Sequence, residues 1–166
     1  MATTEQTATS SLQELARRHL WLHFARMGAF QHNELPIIVK GDGCYVWDEH
    51  GNRYLDALSA LFCVNIGHGR AEVAQAGADQ AKDLAFFTNW SYAHPRAIEL
   101  AARVASLAPG DLDRVFFTSG GSEAVESALK LSRQYHKLTG NPNKYKGIAR
   151  EVAYHGTTLG CLMATG

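Results

Sequence analysis

A glycine- and serine-rich turn stands in the chain between an apolar run and a helical pattern. The run covers residues 114–117, and Gly120, Gly121 and Ser122 lead into the helix. Adjacent glycines let the backbone approach a ligand closely, and the first helical turn leaves N–H groups without internal partners. These amides, the helix dipole and the serine hydroxyl favour an anion such as phosphate. The alternative is an ordinary connection in which Ser122 only caps the helix.

A second candidate group follows the next predicted strand. Residues 147–153 (GIAREVA) predict this strand, and Tyr154 and His155 come directly after them. The order strand, helix, strand predicts a βαβ unit with parallel strands. Ligands of such sheets collect at the carboxyl ends of the strands, so we expect Tyr154 and His155 to lie near the glycine turn.

Together these two groups predict a site for a phosphorylated aromatic cofactor, with the phosphate at the helix and the ring against Tyr154. A phosphorylated nucleotide is the alternative. The sequence favours it less, because no lysine and hydroxyl residue follow the glycines in the Walker pattern and no GxGxxG occurs here.

Helical and β patterns surround these groups. Apolar periodicity predicts a helix over residues 12–27, a second helix over residues 71–84 and a third from Pro95 to Leu107. Residues 44–48 and 53–56 predict a hairpin, which follows a short strand at residues 37–40. Residues 1–10 are polar, and we expect them to be disordered or loosely attached.

Composition excludes several kinds of partner. Sixteen basic and sixteen acidic residues balance, so no net field favours nucleic acid or a membrane surface. Cys44, Cys63 and Cys161 are odd in number and widely spaced, which fits neither a disulfide framework nor a metal site and indicates the cytoplasm. His19 and His23 have a spacing that can bind metal, but no third ligand is evident, so we expect no metal site.

Several ordered stretches resemble one enzyme family. Residues 117–130 (FTSGGSEAVESALK) are similar to the phosphate-binding stretch of the class III (ω-type) aminotransferases, and residues 154–158 are similar to their second signature. Residues 43–56 and 63–69 also match in order, and the resemblance runs from about residue 12 to the last residue.

The resemblance implies an α/β protein of fold type I that uses pyridoxal 5'-phosphate (PLP). Residues 1–66 would form a small N-terminal α+β segment with a helix and a hairpin. Residues 67–166 would form the first part of the large mixed or parallel-sheet domain, which would be incomplete.

The resemblance also implies roles for individual residues. Gly120, Gly121 and Ser122 would bind the cofactor phosphate, Tyr154 would stack on the pyridine ring, and His155 would support the surroundings of the ring.

Three further residues take expected positions from the same family pattern. Glu123 would be a buried carboxylate below the cofactor. Phe62 and Trp90 match positions that line the substrate pocket, with packing in the core as the alternative.

The reaction implied by the family moves an amino group from an amine or ω-amino acid to a keto acid such as pyruvate. It needs a Schiff-base lysine and an aspartate opposite the pyridine nitrogen, and in the family both lie beyond the last residue of this chain. No lysine of this chain matches the nucleophile, so we expect no catalytic residue in it and no activity of the 166 residues alone.

The family would make the full-length protein a homodimer with small-molecule substrates. Two alternatives stay open at this point. One is a PLP-dependent aminomutase, decarboxylase or racemase of the same fold, and the other is a non-catalytic fragment that acts as a binding or assembly piece.

Overall fold

The computed structural model describes residues 11–166, so the prediction for residues 1–10 lies outside the described part. Contacts divide the chain into two compact units, one ending at Phe86 and the other running from Phe87 to Gly166. The domain boundary expected after residue 66 stays a prediction. Among residues 11–166, no helix has the length and apolar character needed to cross a membrane.

The first unit combines short helices with a small sheet. Its elements are α1 (Leu12–His19), a 3₁₀ turn (Met27–Gln31), β1 (Ile38–Asp42), β2 (Tyr45–Asp48), β3 (Arg53–Leu55), α2 (Ser59–Phe62) and α3 (Ala71–Asp83). The three strands pair antiparallel in the order β1-β2-β3, which confirms the predicted hairpin and the strand before it.

Asp48 fixes the hairpin turn between β2 and β3. Its buried carboxylate accepts hydrogen bonds from the amides of His50 (3.0 Å) and Asn52 (2.8 Å). It also accepts from Asn52 Nδ2 (2.9 Å) and from the Tyr54 hydroxyl (2.7 Å). Led by the side-chain bond from Asn52, these donors lower the Asp48 pKa to about 2. The turn is therefore held by one ionised side chain.

Helix α1 is shorter than the apolar pattern predicts. Ser11 caps its start by accepting from the amide of Glu14 at 3.2 Å, and Leu20 ends it with extended dihedral angles. Beyond that point the chain folds back, and Arg17 donates from Nε to the carbonyl of Phe30 at 3.1 Å. Periodicity continues past Leu20, but the dihedral angles of Leu20 leave the helical region.

The turn α2 has left-handed dihedral angles, which the sequence does not predict. The φ angles of Ser59, Ala60, Leu61 and Phe62 are 50°, 47°, 64° and 66°, and none of the four is glycine. Left-handed backbone costs an L-residue roughly 1–2 kcal/mol, so contacts elsewhere must hold this conformation.

The second unit contains three helices: α4 (Pro95–Leu107), α5 (Gly121–Leu138) and α6 (Leu159–Leu162). Helix α4 has the predicted bounds, with proline in the first turn where a missing N–H costs nothing. Helix α5 begins at the predicted glycine turn and ends before Thr139, whose amide donates to the carbonyl of Tyr135 at 3.0 Å.

The predicted strands of the βαβ unit are not formed within the described residues. Residues 114–117 and 147–153 contain no strand, and the sheet of the described chain consists of β1, β2 and β3. A strand is stabilised by hydrogen bonds to a neighbour, and neither segment has a ladder partner here. The prediction of paired parallel strands in this part of the chain is therefore wrong.

Few side chains are buried in the described residues. Asp48, Gly156 and Cys161 are the buried positions, and α3, α4 and α5 bury none of their residues. The apolar side of α5 is exposed at Leu131 (71%) and Leu138 (75%). An amphipathic helix needs a covering surface, and the described residues leave most of the apolar side of α5 without one.

Candidate functional site

The start of α5 carries unpaired main-chain donors. Gly120 is the N-cap residue, and its carbonyl accepts from the amide of Ala124 at 3.0 Å. The amides of Gly121, Ser122 and Glu123 precede this first helical bond and have no intrahelical partner, and no side chain caps the helix. The alternative that Ser122 only caps the helix is therefore wrong.

Ser122 bonds to the segment that follows Gly156 instead. Its hydroxyl donates to Thr158 Oγ1 at 3.0 Å and accepts from the amide of Thr158, also at 3.0 Å. The Cys161 thiol donates to the carbonyl of Ser122 at 3.0 Å. Thr158 and Cys161 therefore tie α6 to the start of α5.

Gly156 lies directly against Ser122. It is buried, its φ is 119°, and a Cβ on it would stand 2.2 Å from Ser122 Oγ. Only glycine permits both this φ and this approach. Since Gly156 follows Tyr154 and His155 at once, the structure confirms that this segment lies beside the glycine turn.

The last residues of the chain also contact this segment. The amide of His155 donates to Thr165 Oγ1 at 3.1 Å, and the Thr165 hydroxyl donates to the carbonyl of Gly156 at 3.1 Å. His155 is exposed, and the side chain of Tyr154 is 66% exposed. An exposed ring of this kind can stack on a planar ligand.

Glu126 extends the contact between α5 and α6. Its Oε2 accepts from the amide of Gly160 at 3.2 Å, and Lys130 Nζ lies 3.8 Å from its Oε1. A side-chain hydrogen bond with Thr158 is the largest of the causes that lower the Glu126 pKa. The carboxylate is therefore held ionised next to the residues that fix Ser122.

Three predicted residues lie outside this contact network. Glu123 is exposed within the described residues, so any burial of its carboxylate must come from elsewhere. Phe62 is 70% exposed in the first unit, and Trp90 is 92% exposed in the second. Core packing does not account for either aromatic side chain in the described chain, and their substrate role stays a prediction.

Sequence reasoning gave no role to the residues that support the site. Thr158, Gly156 and Cys161 are 36, 34 and 39 residues from Ser122 along the chain, and only folding brings them together. Gly156 and Thr158 lie in the stretch 154–158 that resembles a family signature, and the glycine after Tyr154 and His155 marks a position of close approach. Among residues 11–166, no cluster of three or more His, Cys, Asp or Glu side chains could hold a metal ion.

Comparison with solved structures identifies the class of protein. The chain superposes on a transaminase from the marine bacterium Virgibacillus with a TM-score of 0.91 and 43% identity, over 95% of this chain and 36% of that one. Together with the helix start described above, this similarity defines the first part of a transaminase of fold type I.

The family follows from sequence comparison. Residues 27–166 match the profile of aminotransferase class-III, and the chain belongs to that family. It is 58% identical to a probable aminotransferase of Mycobacterium tuberculosis over 95% of this chain and 34% of the relative. It is 40% identical to a putrescine–pyruvate aminotransferase of Pseudomonas aeruginosa over 91% of this chain and 33% of the relative. The chain thus spans about a third of the length of these curated relatives.

Proposed function

We propose that the gene product containing this chain is a PLP-dependent aminotransferase. It moves an amino group from an amine or ω-amino acid to a keto acid such as pyruvate. Membership of the class III family supports the reaction type, and the relative named putrescine–pyruvate aminotransferase supports an amine donor with pyruvate as acceptor.

One observation carries the assignment of the cofactor site: the uncapped start of α5 packs against the segment that contains Tyr154 and His155. The phosphate of PLP is an anion, and the α5 amides from Gly121 onward supply donors at the positive end of an 18-residue helix. The residues present therefore fit the group. We assign Gly120, Gly121 and Ser122 to the phosphate.

The hydrogen bonds of Ser122 support a main-chain role in phosphate binding. Its hydroxyl is engaged by the amide and hydroxyl of Thr158, so the main-chain amide of Ser122 is the donor that remains for the phosphate. Thr158 acts as a positioning residue, because it fixes the direction of the first turn of α5. We assign Tyr154 to the face of the pyridine ring, and His155 and Glu123 to its surroundings.

When bound, PLP supplies the electron sink for the bond that breaks at the amino carbon. This chain orients the cofactor, and Phe62 and Trp90 are proposed to face the amine. No lysine of this chain matches the family nucleophile, so the catalytic lysine belongs to another part of the polypeptide. The assembly is proposed to be a homodimer, and a reducing cytoplasm suits the free thiols of Cys44, Cys63 and Cys161.

The test uses the gene product that contains this chain, purified with PLP. Alanine should form from pyruvate in the presence of an amine donor, and its absence with a range of primary amines would contradict the reaction. Tyr154→Ala should weaken cofactor binding about tenfold through loss of stacking, measured by fluorescence titration.

Tyr145→Ala is the matched control. Tyr145 is exposed to a similar degree (58% against 66%) in the same unit, and within the described residues it makes no hydrogen bond or ring contact with the start of α5. Its loss should leave the dissociation constant of PLP within about twofold. Equal effects of the two substitutions would refute the assignment of the ring to Tyr154.

A further inference from the structure

The left-handed turn α2 needs an explanation, because its own residues oppose it. Four successive non-glycine residues, Ser59–Phe62, have φ between 47° and 66°. Main-chain bonds close the turn: the amide of Phe62 donates to the carbonyl of Leu58 at 2.8 Å and that of Cys63 to Ser59 at 2.9 Å. Such bonds form in turns of either hand, so they do not select the left-handed one.

The carboxylate of Asp56 holds the turn from one side. The amide of Ala60 donates to both of its oxygens, at 3.0 Å to Oδ1 and 2.9 Å to Oδ2. This bond, followed by the contact with His68, lowers the pKa of Asp56, so the carboxylate is ionised at neutral pH. The amide of Ala60 therefore has a charged acceptor in the left-handed turn.

His68 also fixes the orientation of the Asp56 carboxylate. Its Nε2 lies 2.9 Å from Asp56 Oδ2, and the two side chains are only 21% and 11% exposed. The backbone of His68 pairs with Gly43 through bonds of 2.9 and 3.2 Å. A Cβ on Gly41 would stand 2.6 Å from His68 Cγ, so the imidazole packs directly on the backbone of β1. The chain of contacts therefore joins the turn to the sheet.

The turn ends in an aromatic side chain with few contacts. Phe62 is 70% exposed and Leu61 is 66% exposed, although the backbone that carries them is held by hydrogen bonds. With right-handed dihedral angles at these residues, the side chains of Leu61 and Phe62 would point in different directions from those observed. The hand of the turn thus decides where Phe62 lies.

We propose that Asp56 and His68 are positioning residues that hold the left-handed turn and thereby set the direction of the Phe62 side chain. The inference rests on the proposed function for the role of Phe62, but the holding of the turn stands on geometry alone. Asp56 contacts the backbone of α2 through the amide of Ala60, and His68 contacts it only through Asp56.

Hydrogen–deuterium exchange of the gene product tests the holding of the turn without any need for activity. Asp56→Ala should raise the exchange rate of the amides in residues 60–64 about tenfold or more, because their protection depends on the turn. Asp79→Ala, an aspartate on α3 in the same unit, is the control and should leave this segment unchanged. Unchanged exchange in Asp56→Ala would overturn the proposal.

A second variant separates the hand of the turn from general loss of stability. Ala60 has φ 47° and ψ 48°, which glycine adopts without steric cost. Ala60→Gly in the Asp56→Ala background should therefore restore at least part of the protection of residues 60–64. Failure of this rescue would show that Asp56 acts other than by holding the left-handed conformation, and would overturn the inference.

Kinetics test the consequence for the substrate. The ratio of kcat/KM for 1-phenylethylamine to that for propylamine, with pyruvate as acceptor, should change in Phe62→Ala. Asp56→Ala should change it in the same direction, and the double variant should add less than about twofold. Independent, multiplying effects, or no effect of Asp56→Ala on the ratio, would refute the positioning role.

These outcomes distinguish the two proposals. A gene product that binds PLP but forms no alanine from any amine refutes the proposed function and, with it, the substrate role of Phe62. Exchange measurements on the same protein still decide whether Asp56 and His68 hold the turn. If the enzyme is active but Asp56→Ala does not change the ratio of the kcat/KM values for the two amines, only the further inference is refuted.

Discussion

Replacement of Gly156 by alanine is the most direct test of the contact that builds the candidate site. The Cβ of the new residue would stand 2.2 Å from Ser122 Oγ, 2.5 Å from Ser122 Cβ and 2.8 Å from Ser122 Cα. A rotation of the serine side chain could relieve the first contact but not the last, because Cα belongs to the backbone. The two segments must therefore separate.

The magnitude follows from two terms. A non-glycine residue at φ 119° costs about 1–3 kcal/mol of backbone strain. Separation of the segments also breaks the two hydrogen bonds between Ser122 and Thr158, each worth about 1 kcal/mol. Gly156→Ala should therefore lower the free energy of unfolding by about 3–5 kcal/mol. Because the start of α5 moves, the affinity for PLP should also fall.

Denaturant unfolding of the gene product, followed by titration with PLP, measures both effects. Gly147→Ala is the matched control: it lies in the same unit, its φ is not positive, and a Cβ there meets nothing within 4 Å. We expect the control to lie within about 0.5 kcal/mol of the wild type. A Gly156→Ala protein as stable as this control, with unchanged cofactor affinity, would refute the close packing on which the site depends.

Three further changes test other parts of the structure. Ser122→Ala should destabilise the protein by about 1–2 kcal/mol, because it leaves the amide of Thr158 without its acceptor, and combination with Thr158→Val should add little in a double-mutant cycle. The folded-state pKa of Asp48 is about 2, below its ordinary 3.8, so its contribution to stability is complete above that ordinary value and is lost as the pH falls through about 2. Thermal unfolding between these pH values should show a smaller acid dependence in Asp48→Asn than in the wild type. Gly77→Ala, inside α3 with no atom near its would-be Cβ, should stabilise the protein by about 0.5–1 kcal/mol in denaturant unfolding, and a loss of stability would show that a neighbour contacts this position.

Local signals predicted the elements that depend on nearby residues. Helix α4 begins at Pro95 and ends at Leu107 because proline fixes the first turn and the apolar spacing continues to the last one. The hairpin of β2 and β3 formed as expected, since its turn residues and alternating pattern lie within a few positions of each other. The glycine turn at the start of α5 was found for the same reason.

Predictions that needed distant partners were less accurate. Residues 114–117 and 147–153 have strand composition, yet they remain without ladder partners, because a strand exists only beside another strand. Helix α1 ends at Leu20, and the chain then folds back so that the carbonyl of Phe30 accepts from Arg17. Periodicity describes one segment at a time and cannot include such contacts.

By itself the sequence determined the candidates for a phosphate site: glycines at a helix start, followed later by an aromatic residue and a histidine, are recognisable from residue types and spacing. Only the tertiary structure decided that Ser122 bonds to Thr158 rather than capping its own helix, and that Gly156 lies against it. Likewise, the left-handed conformation of α2 is held by His68 and Asp56, since the residues of the turn themselves prefer right-handed dihedral angles. Contacts between residues far apart in the chain can outweigh a local preference, and no local pattern records them.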